Sequence, residues 1–495
     1  MYFSCSGCSS GLYHCRIWNE IEDGKEWSTF YRQPHKQWSS ELITAEVEVA
    51  PPPSSTGAGP PTPEDMLLKL LKKSEVTLDS VGTDAVSTSD QDTSCESTLD
   101  TTSDELFAVD KVALIIANAD YAHLPTLKAP LRDAEVLANS LMSLGFKTVT
   151  LADLSLSEMK KAVSEYTELL STGVYALFYF AGHGLEYAGR CSLLPVDNPG
   201  LPFNAAHCLC VDDVLKAMQE RQPAVNIILL DICRQIVGDS FEATCLKLRR
   251  QPVVNRNTVF GFATSYGVSA YEKPDEPNGV FMKYFREHVC EAIPVTQILD
   301  RVIQDVGSDE DVCEYQYPEV RHCLSLPRSL TDPIKTSGHT NTFNIRSYQW
   351  QSLHMLPQPQ SYSLPGRDLK VSIWFDFYNY YTNLIYVYTT VELHHPSSGG
   401  HDEDTDPEPV AHSATPAYLA FLKVPSRLSI CEQSVVAIHG KQAARFLLQH
   451  LQRLQGPLVA SVEIVDGLAQ KVGQLQDLCL GEVLISSLRL SSSDE

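Results

Sequence analysis

The run Val225-Asn-Ile-Ile-Leu-Leu-Asp-Ile-Cys-Arg234 constrains the fold of this chain more than any other stretch. It is short, rich in Ile and Leu and almost unbroken in apolar character. That is the pattern of a strand covered on both faces, and such strands belong to parallel sheets packed between helices. The run ends on Cys233. Chemistry in open α/β sheets collects at the carboxyl ends of the strands, so a thiol at that edge, flanked by Asp231 and Arg234, is a candidate nucleophile. Most free cysteines are small buried apolar groups, so a nucleophile here needs a partner from elsewhere in the chain.

The surrounding pattern fits such a sheet. Lys111-Val-Ala-Leu-Ile-Ile-Ala-Asn118 is a second buried strand. After it helices are predicted over 131–144, 156–170 and 211–222, alternating with strands over 147–151 and 174–180. A strand over 258–263, helices over 281–290 and 295–306 and a last strand over 319–324 complete the domain. Strand and helix in alternation with right-handed crossovers predict a mostly parallel sheet between helices. Ile116-Ala-Asn-Ala-Asp-Tyr121, after the first strand, has none of the glycines of a dinucleotide or phosphate loop, which disfavours nucleotide binding.

A length of 495 residues is too long for one core. Residues 1–33 read as two strands with Tyr13 two positions before Cys15, the spacing of a tyrosine corner. They are expected to be the tail of an immunoglobulin-like domain. Residues 34–107, rich in Pro, Ser, Thr and acids, are expected to be a disordered linker. The α/β domain is expected over 108–335. A linker helix and an all-β sandwich are expected over 336–491, with strands over 369–378, 384–393, 418–424, 458–464 and 483–490 and a helix over 441–454.

The formal net charge of −24 disfavours nucleic acid and anionic membrane surfaces as partners. With no signal-peptide pattern at the N-terminus and fourteen scattered cysteines, a cytosolic or nuclear location is expected. His207-Cys208-Leu-Cys210 has no second ligand pair at zinc spacing, so no metal is expected there.

The partner of Cys233 is His183. The strand over 174–180 runs into Ala181-Gly-His-Gly184, whose glycines let the backbone turn at the same carboxyl edge. His183 stands fifty residues before Cys233, the separation seen in caspases. Lys128-Ala-Pro-Leu-Arg-Asp-Ala134, Tyr179-Phe-Ala-Gly-His-Gly184, Leu229-Leu-Asp-Ile-Cys-Arg234, Val259-Phe-Gly-Phe-Ala-Thr264 and Leu330-Thr-Asp-Pro333 together closely resemble the paracaspases of the mucosa-associated lymphoid tissue lymphoma translocation protein family. That family flanks a caspase-like domain with immunoglobulin-like domains, as the two ends of this chain do in pattern.

The resemblance implies a cysteine endopeptidase that cleaves after arginine and acts in immune signalling of the NF-kappa-B type. Cys233 is then the nucleophile and His183 the acid and base. The N–H groups of Gly184 and Cys233 form the oxyanion hole. Asp133, Asp231 and Glu272 line an acidic pocket whose carboxylates suit the planar guanidinium better than an ammonium. Neither metal nor cofactor is implied. Trp350 matches a tryptophan that couples the sandwich to the protease. A homodimer through strand 319–324 and a signalling adaptor are the implied partners. The expected departures are that no death domain is read in this sequence, and Ser269 where the family has the first acid of a Glu-Ala-Phe-Glu run. An inactive scaffold, binding partners through the same domains, is the alternative of a different class.

Overall fold

The structure, a computed structural model, describes residues 105–187, 189–200, 204–234, 256–273, 275–393, 418–438 and 440–483. The immunoglobulin-like fragment expected over 1–33, nearly all of the linker and the strand expected over 483–490 lie outside the described residues.

The α/β domain opens with β1 (Asp110–Ala117), α1 (Ala129–Ser143), β2 (Lys147–Ala152), α2 (Leu156–Glu168) and β3 (Val174–Ala181). A small sheet of β4 (Gly184–Tyr187), β5 (Arg190–Leu193) and β6 (Leu209–Cys210) follows, then α3 (Val211–Glu220) and β7 (Val225–Asp231). β8 (Thr258–Phe262), α4 (Val280–His288), α5 (Val295–Ser308) and β9 (Glu319–His322) complete it. The main sheet has the order β2-β1-β3-β7-β8-β9.

All eight residues of β1 and of β3 are buried, as apolar runs without alternation require. The two-residue period still sorts them. Ala113, Ile115, Tyr175, Leu177 and Tyr179 pack on one face with Leu137 of α1, Phe281 of α4 and Ile298 of α5. Leu114, Ile116, Phe178 and Phe180 pack on the other with Met159 of α2 and Val214 of α3. Each Ile, Leu, Val, Phe or Met among these contributes about 1.5–3 kcal/mol when fully buried. The carboxyl edge of β3 and β7 is thereby held on two layers of helix.

Five strands are parallel, and β9 runs antiparallel to β8. Two successive helices, α4 and α5, lie on one face between them, so the chain enters β9 from the opposite end. β9 is one outer strand of the sheet and β2 is the other.

Beyond α6 (Thr340–Leu353) come two antiparallel sheets. One has the order β10-β11-β12-β15-β14, from β10 (Gln360–Ser363), β11 (Leu369–Phe377), β12 (Ile385–Leu393), β14 (Ser429–Ile438) and β15 (Lys441–Gln449). The other holds β13 (Leu419–Lys423), β16 (Leu458–Val465) and β17 (Lys471–Gly481). Val371, Ile373, Val387 and Phe446 meet Ala460, Val462 and Ile464 in the core between them. The helix expected over 441–454 is instead β15 and a short 3-10 turn. Its Ala, Arg, Leu and Gln residues favour helix, but β12 and β14 take its backbone on both sides, and pairing overrides propensity.

The C-terminal part is bound to the outer edge of β2 at alternate residues. The Trp350 indole donates to Thr148 O at 2.8 Å, Thr382 N to Thr150 O at 2.8 Å, and Asn383 both accepts from Ala152 N and donates to Ala152 O at 2.9 Å. Arg346 of α6 also reaches the buried Asp110 carboxylate at 2.8 Å, beside Lys147 at 2.7 Å.

Candidate active site

The register explains why His183 and Cys233 share an edge. Parallel pairing of β3 with β7 sets Ala181 beside Asp231, and each candidate lies two residues past that pair. Gly182 N donates to Asp231 O at 3.2 Å and carries the ladder one step further. Gly182 has φ +152°, and a Cβ there would stand 2.5 Å from the Tyr121 hydroxyl. At Gly184 a Cβ would lie 2.7 Å from Ile232 Cδ1. These two glycines are required for close approach, since any side chain would push the histidine loop off the cysteine loop.

His183 is held from two sides. Its backbone N–H donates to the Tyr121 hydroxyl at 2.8 Å, and its ring lies 4.6 Å from the Tyr121 ring. Nε2 contacts Pro125 O at 2.7 Å. A carbonyl only accepts, so Nε2 carries a proton and Nδ1 is the nitrogen left to take one from a thiol.

Cys233 is bracketed by a fully buried cation. Arg234 donates from Nε to Glu186 and from Nη1 to Glu319, each at 2.5 Å, and from Nη1 to Thr264 O at 2.9 Å. Its guanidinium also stacks 4.2 Å from the Phe262 ring centre. Removing one partner of such a buried set typically costs about 3–5 kcal/mol, so the backbone after the cysteine is rigidly placed. The Cys233 thiol donates to Ala270 O at 3.8 Å in this conformation. Burial pushes its pKa up, against hydrogen bonding from the Ala270 backbone and the Ser269 side chain, which draws it down. The Cys233 N–H has no hydrogen-bond partner among the described residues.

The three acidic candidates are placed unequally. Asp133, buried on α1, accepts from Asn278 Nδ2 at 2.7 Å and from Gly279 N at 3.1 Å. Asp231 ends β7, with its Oδ2 shut off from solvent. Both carboxylates look onto Gly279: a Cβ there would lie 3.0 Å from Asp133 Oδ2 and 3.6 Å from Asp231 Oδ2. Burial, then the neighbouring Asp231, pushes Asp133 well above the usual carboxylate range. Burial, then Glu272, pushes Asp231 up to about 7. Glu272 itself is exposed at the rim and accepts from Lys128 N and Ala129 N at the start of α1. Beyond it an open cleft of about 440 Å³ is lined by Tyr271, Asp275, Asp311 and Tyr315, among others.

Sequence reasoning missed Tyr121, Pro125, Asn278, Gly279 and the partners of Arg234. Only Asn278-Gly279, a turn dipeptide just before a helix, carried a local signal. The rest are contacts 30 to 85 residues apart. Trp350 lies on the far edge of the sheet, at β2 and away from the carboxyl-edge candidates.

The caspase-domain family model matches residues 110–328. The chain is 35% identical over 405 residues to mucosa-associated lymphoid tissue lymphoma translocation protein 1 of Homo sapiens, covering 78% of this chain and 46% of that protein. It is 34% identical over 400 residues to the Mus musculus homolog, covering 77% and 45%. The chain thus spans less than half the length of these relatives. Among solved structures it is similar to caspase-1 of Spodoptera frugiperda at 16% identity and TM-score 0.36, covering 46% of this chain and 92% of that one.

Proposed function

Because this chain belongs to the mucosa-associated lymphoid tissue lymphoma translocation protein family and carries its caspase domain, we propose that it is a cysteine endopeptidase that cleaves proteins after arginine. The observation that carries the specificity is the convergence of Asp133 and Asp231 on the space left by Gly279, at the edge that also bears His183 and Cys233. Two carboxylates across so small a gap repel each other and retain a proton. A guanidinium placed between them relieves both the repulsion and the unmet acceptors.

His183 Nδ1 takes the Cys233 proton, and the thiolate attacks the carbonyl carbon on the carboxyl side of the substrate arginine. The N–H groups of Cys233 and Gly184 stabilise the oxyanion, a contribution of about 3–4 kcal/mol in comparable sites. The imidazolium then protonates the leaving amine, and water hydrolyses the thioester. In this reading residues 108–335 are the protease domain and the sandwich within 336–491 is immunoglobulin-like, as is the fragment over 1–33. Trp350 couples sandwich to protease. Two copies pair through β9 when active, and the enzyme works in the cytosol or nucleus on NF-kappa-B-type signalling with an adaptor.

One observation favours a silent scaffold instead: the thiol is engaged by Ala270 O rather than poised for proton transfer. A peptide panel with Arg, Lys or Asp at the cleaved position separates the readings, run with the parent chain and Cys233→Ala in dimer-promoting salt. Cleavage after Arg that Cys233→Ala abolishes is expected. No turnover of any peptide sinks the enzyme, and preference for Asp sinks the pocket.

A further inference from the structure

A hydroxyl that this mechanism leaves unused, that of Tyr179, lies by the carboxyls of the acidic pocket. Tyr179, in the middle of β3, is 0% exposed and packs on the α1 side of the sheet. The register pairs it with Leu229, so Asp231 stands two residues further along the neighbouring strand and on the same face. The Tyr179 hydroxyl faces the carboxyls of Asp231 and Asp133. Neither that hydroxyl nor Oδ2 of Asp231 has a hydrogen-bond partner of good geometry among the described residues, both are shut off from solvent, and the hydroxyl stands close enough to interact with the Asp231 carboxyl. Orphaned groups are rare in the centre of a rigid sheet, and a facing pair of them needs an explanation.

Their chemistry supplies one. A phenol can donate, and an ionised carboxylate can only accept. The titratable groups facing Asp231 are Asp133 from α1, Glu272 from the loop after β8, Tyr179 from β3 and Cys233 two residues on in the chain. Of these, Tyr179 carries a hydroxyl donor that no other well-formed hydrogen bond engages among the described residues. Resting on the arginine reading above, we propose that Tyr179 is a positioning residue of the pocket. When a substrate guanidinium draws Asp231 into its ionised form, the carboxyl proton leaves to solvent and the Tyr179 hydroxyl donates to Oδ2. That bond holds the carboxylate facing the guanidinium.

Tyr179→Phe removes the donor and keeps the ring that fills the core. With Arg peptides its KM is expected to rise about tenfold with kcat little changed, the size of one hydrogen bond to a charged group. The acid limb of kcat/KM should move to higher pH. The melting temperature should stay close to the parent's, because the resting protein loses no well-formed bond. In an Asp231→Asn background the same substitution should add nothing. A folded Tyr179→Phe with the parental KM and acid limb overturns the proposal, as does an equal loss in the Asp231→Asn background. A parent chain that leaves Arg peptides uncut overturns the arginine reading itself, and this proposal with it.

Discussion

Gly279→Ala is the most economical probe of the acidic pocket. The glycine has φ −61° and ψ 155°, ordinary extended backbone, so alanine enters without backbone strain. Its methyl would stand 3.0 Å from Asp133 Oδ2, inside normal contact distance, and 3.6 Å from Asp231 Oδ2. Asp133 cannot swing away freely, because Asn278 Nδ2 and Gly279 N hold it at 2.7 and 3.1 Å. The methyl therefore occupies the gap between the carboxylates and denies a guanidinium at least one charge-assisted hydrogen bond. Such a bond is worth about 1.5–3 kcal/mol, which is roughly 10- to 150-fold in affinity at 1.4 kcal/mol per decade. The fold should lose no more than about 1 kcal/mol from the poorer helix-capping position. Steady-state kinetics with Arg peptides should show the loss in KM, with kcat and melting temperature near the parent. An alanine variant that binds and cleaves Arg peptides with the parental KM would refute the claim that the guanidinium lies between Asp133 and Asp231.

The raised pKa of Asp231, about 7, has two consequences. On the proposed arginine specificity its ionised form would receive the guanidinium, so kcat/KM for Arg peptides should climb as pH rises through about 7. The native state binds the extra proton between the ordinary carboxyl range and about 7, so this group withdraws stability as pH rises through that window. Asp231→Asn should flatten that slope and raise the melting temperature at pH 8, and an unchanged slope argues against it. Tyr121→Phe removes the acceptor of the His183 N–H. A fall in kcat of about two- to tenfold is expected, at constant KM, and parental kcat would show that the bond does not position the histidine. Asn383→Ala strips both partners from Ala152 and should lower unfolding free energy by about 2–4 kcal/mol in urea titration, where a change under 1 kcal/mol would mean that water replaces the amide.

The parts of the fold that could be read in advance are those where one period dominates. β1, β3 and β7 are unbroken apolar runs, and their boundaries follow from where the run stops. The antiparallel course of β9 could not be read, because it depends on two helices lying on one face, a relation between elements. β15 was misread because its residues favour helix and only its two neighbours make it a strand. β17 went unread: its Lys-Val-Gly-Gln-Leu-Gln-Asp pattern is too polar for a clear strand signal. At the site, the spacing of His183 and Cys233 sufficed to propose the pair, whereas Asp133, Asp231 and Glu272 are unremarkable acids singly and were grouped by resemblance. The structure separates them again, with two at the gap over Gly279 and Glu272 at the rim.

The binding of Trp350, Thr382 and Asn383 along β2 also bears on how many copies can associate. A twisted sheet with two bare edges is a template for unlimited strand addition. Here Thr148, Thr150 and Ala152 already spend their outward-facing groups on the chain's own C-terminal part. Among the described residues β9 is then the outer strand left for strand addition, and edge-to-edge pairing of two copies there would occupy that edge in both. Growth through this sheet would then stop at two, which makes the C-terminal part a guard against polymerisation as well as a neighbour of the α/β domain.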